Sequence, residues 1–123
     1  MSAAATVGDK IYLIGGDTWE PSHRKYADVQ VYNPSTDSWS SASSMPTAET
    51  NLDAAVLDNE IWVFGKHDLC RVYNVATDSW IEVVTDHQAE KSFSIAYLDG
   101  KIYCFGGGSW GPTIDVVEAA SVP

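Results

Sequence analysis

The chain repeats itself. Val31-Tyr32-Asn33-Pro34-Ser35-Thr36-Asp37-Ser38-Trp39 returns 41 positions later as Val72-Tyr73-Asn74-Val75-Ala76-Thr77-Asp78-Ser79-Trp80, with seven of nine residues identical. A second pattern occurs three times: Gly8-Asp9-Lys10-Ile11-Tyr12-Leu13-Ile14-Gly15-Gly16, then Asp58-Asn59-Glu60-Ile61-Trp62-Val63-Phe64-Gly65, then Asp99-Gly100-Lys101-Ile102-Tyr103-Cys104-Phe105-Gly106-Gly107. A period of roughly 40 to 50 residues built from short strand-like runs defines a repeat architecture. The shared pattern makes the fold, so function belongs to the loops in which the repeats differ.

Each repeat reads as a set of short antiparallel strands. Ala3 to Val7 and Lys10 to Gly15 are apolar runs joined at Gly8-Asp9, a tight hairpin turn. Continuous runs such as Ile11-Tyr12-Leu13-Ile14 suit strands covered on both faces. Val29 and Val31 flank Gln30 as a half-buried strand does, and Asn33 to Asp37 is dense in turn formers. Trp39 opens a fourth strand. The second repeat offers Leu52 to Leu57, Ile61 to Gly65, Arg71 to Asn74 and Trp80 to Val84. The third offers Phe93 to Leu98, Ile102 to Gly106 and Ile114 to Glu118, with no Tyr or Trp after Val117 to mark a fourth strand. Lys66 stands where the second Gly of the pair falls in the other repeats, which predicts an altered turn there.

An apolar strand ending in Gly-Gly, followed by a spaced Tyr and Trp, resembles the Kelch repeat. The resemblance runs from about Ser2 to about Glu118 and implies an all-β fold: a partial Kelch-type β-propeller of four-stranded antiparallel blades. The expected division is a single partial propeller over 1–123, with blade 1 at about 2–43, blade 2 at about 52–85 and an incomplete blade 3 at about 92–118. Propellers close with four or more blades. The chain is therefore expected to be a piece of a larger propeller or half of an assembly that closes between subunits, as a homodimer or with the remaining blades.

The formal net charge of -10 opposes binding to nucleic acid or anionic membranes, both of which need a cationic footprint. No apolar run approaches membrane-spanning length, and the start of the chain lacks the basic and long apolar segments of a signal peptide. Cys70 and Cys104 fall inside strand patterns and read as buried thiols, with a disulfide between them as the alternative; buried thiols point to a reducing, cytoplasmic setting. No cofactor or metal motif is present in the sequence. The repeated pairs Tyr32 with Trp39 and Tyr73 with Trp80 read as packing between blades, because they recur once per repeat.

Following the strands around each blade separates two rims. First-to-second and third-to-fourth turns lie on one, with Lys10, Lys101 and the aspartates Asp9, Asp37, Asp58, Asp78 and Asp99. Second-to-third loops and blade-to-blade connections lie on the other. That second rim collects the candidate ligand-binding residues Trp19, His23, Arg24, Lys25, Lys66, His67, Arg71, Lys91 and Trp110. It also carries the insertion Asp17 to Ala27, longer than its counterpart in the second repeat. Basic and aromatic side chains on non-repeating loops are what recognition surfaces use, and the Kelch resemblance implies that this rim is the usual ligand face. The expected role is a non-catalytic protein-recognition module, in the manner of Kelch adaptors of ubiquitin ligases or actin-binding Kelch proteins. The alternative is part of a Kelch-fold enzyme acting on sugars, resembling galactose oxidase or a sialic acid epimerase. No nucleophile–base pairing, phosphate loop or set of closely spaced ligands in the sequence supports that alternative.

Overall fold

The computed structural model describes residues 2–50, 52–65, 69–84, 93–99, 101–106 and 114–118. The elements in chain order begin with β1 (Ala3–Val7) and β2 (Lys10–Ile14), then a short ribbon of β3 (Asp17–Thr18) and β4 (Arg24–Lys25), then β5 (Val29–Asn33) and β6 (Ser38–Ala42). The second repeat supplies β7 (Asp53–Leu57), β8 (Glu60–Phe64), β9 (Leu69–Asn74) and β10 (Ser79–Val84). The third supplies β11 (Phe93–Leu98), β12 (Lys101–Gly106) and β13 (Ile114–Glu118). Described secondary structure is all strand.

Two antiparallel four-stranded sheets have the orders β1-β2-β5-β6 and β7-β8-β9-β10, and the third has β11-β12-β13. Every pairing joins neighbours along the chain except β2 with β5, where the β3–β4 ribbon is interposed. First strands lie next to one another, β1 against β7 and β7 against β11. Asp53 ties the latter contact, its carboxylate accepting the Ile95 N–H at 2.9 Å. This is a run of propeller blades standing side by side.

Strand alternation decides which residues fill the gaps between sheets. Ala3, Ala5, Tyr12, Ile14, Val29 and Val31 of the first sheet meet Ile61, Val63 and Tyr73 of the second in one core. Ala55, Leu57, Trp62, Phe64, Cys70 and Val72 point the other way and form a second core with Ile102. Covering on both faces explains why β8 reads as an uninterrupted apolar run: Ile61, Trp62, Val63 and Phe64 are all fully buried. Cys70 lies in that second core as a small apolar side chain.

The turns repeat as faithfully as the strands. Gly8, Asp58 and Asp99 take positive φ at the same place in the first hairpin of each sheet. Asp37 and Asp78 do so just before each fourth strand, and Asp tolerates this region through local hydrogen bonding. Asn33 Oδ1 accepts the Ser35 N–H, as Asn74 Oδ1 accepts that of Ala76.

The Gly-Gly pair has a steric cause. Gly15 and Gly16 adopt φ of 64° and 108°. A Cβ on Gly15 would lie 2.7 Å from Leu52 Cδ1 and 2.9 Å from the Glu49 carbonyl oxygen. Both neighbours belong to the connection between the first two sheets. In the second repeat Gly65 is outside the left-handed region that Gly15 occupies, in keeping with the altered turn expected there. Lys66 itself lies outside the described residues.

The aromatic pairs show one departure from expectation. Tyr73 is buried and Trp80 half-buried, with ring centroids 5.1 Å apart, packed against the first sheet. Tyr32 and Trp39 keep the same local geometry at 5.0 Å, yet Trp39 is 61% exposed. The side chains match; among the described residues a neighbouring sheet covers the Trp80 face and none covers that of Trp39.

A candidate recognition rim

The connection between the first two sheets stitches the rim together. Gly16 N–H donates to the Glu49 carbonyl at 3.0 Å, and Tyr26 N–H to the Gly16 carbonyl at 2.9 Å. Glu49 N–H donates to the Tyr26 carbonyl at 3.2 Å, and Met45 N–H to that of Ala27 at 2.8 Å. These bonds fix both ends of the insertion, so the β3–β4 ribbon rises from an anchored base.

Five of the candidate rim residues are described. Trp19 is 70% exposed and stacks on His23 with centroids 3.9 Å apart and planes 5° from parallel. His23 Nε2 lies 3.0 Å from Asp17 Oδ2, and Asp17 Oδ1 accepts the Thr50 hydroxyl at 2.7 Å. A chain of contacts thus runs from the inter-sheet connection through Thr50, Asp17 and His23 to an exposed indole. Arg24 and Lys25 are exposed on β4, in register with Thr18 and Asp17. A cleft of about 270 Å³ opens between Leu13 and Gln30 of the first sheet and Asp17, Thr18 and Tyr26 of the insertion. A smaller one of about 190 Å³ lies within the insertion, between Glu20, Arg24 and Tyr26.

Arg71 sits differently from the others. It is only 5% exposed, in the cross-strand row Ala54, Val63, Arg71 and Glu82 that faces the first sheet. Its guanidinium is 3.9 Å from Glu49 Oε1 through Nη2 and 3.9 Å from Glu82 Oε2 through Nε. These are charge pairings at long range, and Arg71 ties the second sheet to the inter-sheet connection and is not an exposed contact. Lys66, His67, Lys91 and Trp110 lie outside the described residues. Thr50, Glu49 and Tyr26 support the rim, and position alone was their signal, since all sit on second-to-third or inter-blade connections.

The Asp78 turn is structural and clamps the start of the inter-sheet connection. Asp78 accepts hydrogen bonds from the Tyr73 hydroxyl at 2.6 Å and from Ser43 N–H and Oγ–H, each at 2.9 Å. Those donors, Tyr73 first, hold the Asp78 carboxyl below its ordinary range. Burial, and then the bond to Asp78, push the Tyr73 phenol well above its own. Trp80 Nε1–H closes the clamp by donating to the Ser43 carbonyl at 2.7 Å. Among the described residues no group of three or more His, Cys, Asp or Glu is arranged to hold a metal ion.

Antiparallel blades set side by side define a propeller segment, and the comparisons find the Kelch motif in its first part. Residues 1–46 match the Kelch motif. The chain is 39% identical over 67 residues to Kelch-like protein terF of Aspergillus terreus, a match covering 51% of this chain and 14% of that protein. It is 37% identical over 57 residues to Kelch-like protein 31 of Danio rerio, covering 46% of this chain and 9% of that protein. The chain thus spans a small part of the length of these relatives. The first blade thus carries the Kelch motif, and the second and third sheets repeat its strands and turns.

Proposed function

We propose that the chain is a protein-recognition module whose ligand seats on the rim formed by the second-to-third-strand loops and the inter-blade connections. The observation that carries this is the exposed Trp19, held by His23, Asp17 and Thr50 beside exposed Arg24 and Lys25. An indole fixed before binding loses little freedom on contact, and Trp and Arg are the residues that dominate interface energetics. In a chain of net charge -10, a local pair of exposed cations also gives the rim an orientation-setting contrast. The relatives' description as Kelch-like proteins is compatible with this role. The proposal includes a cytoplasmic setting and further blades, from a second copy or elsewhere, to complete a ring. Affinity capture with wild type and with the Arg24→Glu, Lys25→Glu variant tests it. The reading expects partners lost from the variant while its melting curve is unchanged; identical partners and affinities would reject the rim as the recognition face.

A further inference from the structure

Arg71 stands where the repeat pattern asks for no cation. Its register position holds Gln30 in the first repeat and Asp115 in the third, and its cross-strand neighbour Glu82 corresponds to Ser41 in the first. Packing of a blade therefore does not require this charge. The guanidinium lies beside two carboxylates, Nη2 at 3.9 Å from Glu49 and Nε at 3.9 Å from Glu82. The arginine side chain is 6% exposed and that of Glu49 20%. Among the described residues the buried Nε–H has no hydrogen-bond acceptor. The tie to Glu49 is thus one of charge in a partly covered setting, where salt screens it less than at an open surface.

Glu49 has two attachments. Its side chain reaches the second sheet, at Arg71 and beside Gly65, where an added Cβ would lie 3.7 Å from Oε2. Its backbone holds both ends of the insertion, the carbonyl accepting the Gly16 N–H at 3.0 Å and the N–H donating to the Tyr26 carbonyl at 3.2 Å. The next residue, Thr50, donates to Asp17, which holds His23 beside Trp19. A charge buried in the second sheet is therefore joined through one residue to the ribbon that presents the indole.

We infer that Arg71 is a positioning residue of the recognition rim: it holds the Glu49 side chain against the second sheet, and Glu49 in turn holds the Trp19 ribbon at both ends. Arg71 itself touches no ligand. Taking its charge away leaves Glu49 and Glu82 without the cation they share. The Glu49 side chain then turns toward water, and its backbone bonds to the insertion open more often. The consequence for binding rests on the rim reading; the anchoring does not.

Amide hydrogen exchange on the whole chain reads the anchoring without a partner. Arg71→Met keeps an apolar stem and removes the charge. In it the Gly16 and Glu49 amides should exchange about tenfold faster, while those of the central strands β2 and β5 exchange as in wild type. Arg71→Lys, which returns a charge to a tie that uses no directed bond, should restore the protection. Glu49→Gln should match Arg71→Met, and the double variant should add little. Against one captured partner, Arg71→Met should weaken binding and Arg71→Lys should keep it. Unchanged Gly16 and Glu49 exchange, equal acceleration in β2 and β5, or no recovery in Arg71→Lys would overturn the inference. So would an Arg71→Met chain that binds as wild type does a partner lost by Trp19→Ala. Retained binding in Trp19→Ala would sink the rim reading, a result distinct from each of these.

Discussion

Trp39 and Trp80 occupy the same place in successive repeats, so replacing each by Ala measures what a neighbouring blade contributes. Trp80→Ala removes the stack on Tyr73, worth about 1 kcal/mol. It removes the indole hydrogen bond to the Ser43 carbonyl, about 1 kcal/mol, and the packing of a half-buried indole, about 1 to 1.5 kcal/mol more. The expected cost is therefore about 3 kcal/mol, at the lower end of the range for large aromatic truncations. Trp39→Ala loses the matching stack on Tyr32 but little burial, so about 1 kcal/mol is expected. Urea unfolding followed by circular dichroism reads both numbers. The difference of about 2 kcal/mol should move the midpoint by roughly 1 M at the slopes usual for small proteins. Equal costs would refute the claim that coverage by the first sheet, and not the local pair, stabilises the second.

The Asp78 clamp predicts acid lability. Because the folded carboxyl titrates below its ordinary value near 3.9, its contribution is complete above that pH and is lost as pH falls through the folded value. Wild type should lose stability as pH falls below about 4 more steeply than Asp78→Asn in urea titrations. At the alkaline end the raised Tyr73 phenol reverses the sign. Its contribution is present below about pH 10 and declines above it, a decline that Tyr73→Phe should remove. Gly15→Ala should cost about 2 to 4 kcal/mol, from the left-handed backbone and the collision with the Glu49 carbonyl. Gly65→Ala, whose added carbon would lie 3.0 Å from a Leu52 methyl, should cost about 1 kcal/mol in the same assay.

Strands and turns were legible because each is set by a few neighbouring residues. The apolar run Ile11 to Ile14 reads as a strand covered on both faces, but Ile11 is 39% exposed because no described sheet packs on its side; the like run Ile61 to Phe64 lies between two sheets and is fully buried, and Gly15-Gly16 marks a turn only glycine tolerates. The β3–β4 ribbon was not legible: two-residue strands carry no periodicity, and they are placed by backbone bonds to Glu49 from the following connection. Arg71 read as a rim cation, but it is buried on the face toward the first sheet, beside its hairpin neighbour Glu82 and near Glu49 of the inter-sheet connection. Trp39 and Trp80 are indistinguishable in sequence, since what separates them is the presence of a neighbouring sheet. Among the site residues, Trp19 and His23 were found by their absence from the repeat pattern. Their stacking, and the support from Asp17 and Thr50, needed the three-dimensional insertion.

The most direct test of recognition by the rim compares Trp19→Ala with Trp80→Ala against one captured partner, with affinity by titration calorimetry and stability by urea unfolding on the same samples. Trp19 is exposed and touches no core, so its removal should leave stability within about 0.5 kcal/mol of wild type while weakening binding at least tenfold. Trp80→Ala should do the opposite, lowering stability while the folded fraction binds as wild type does. Undiminished affinity in Trp19→Ala would contradict the account.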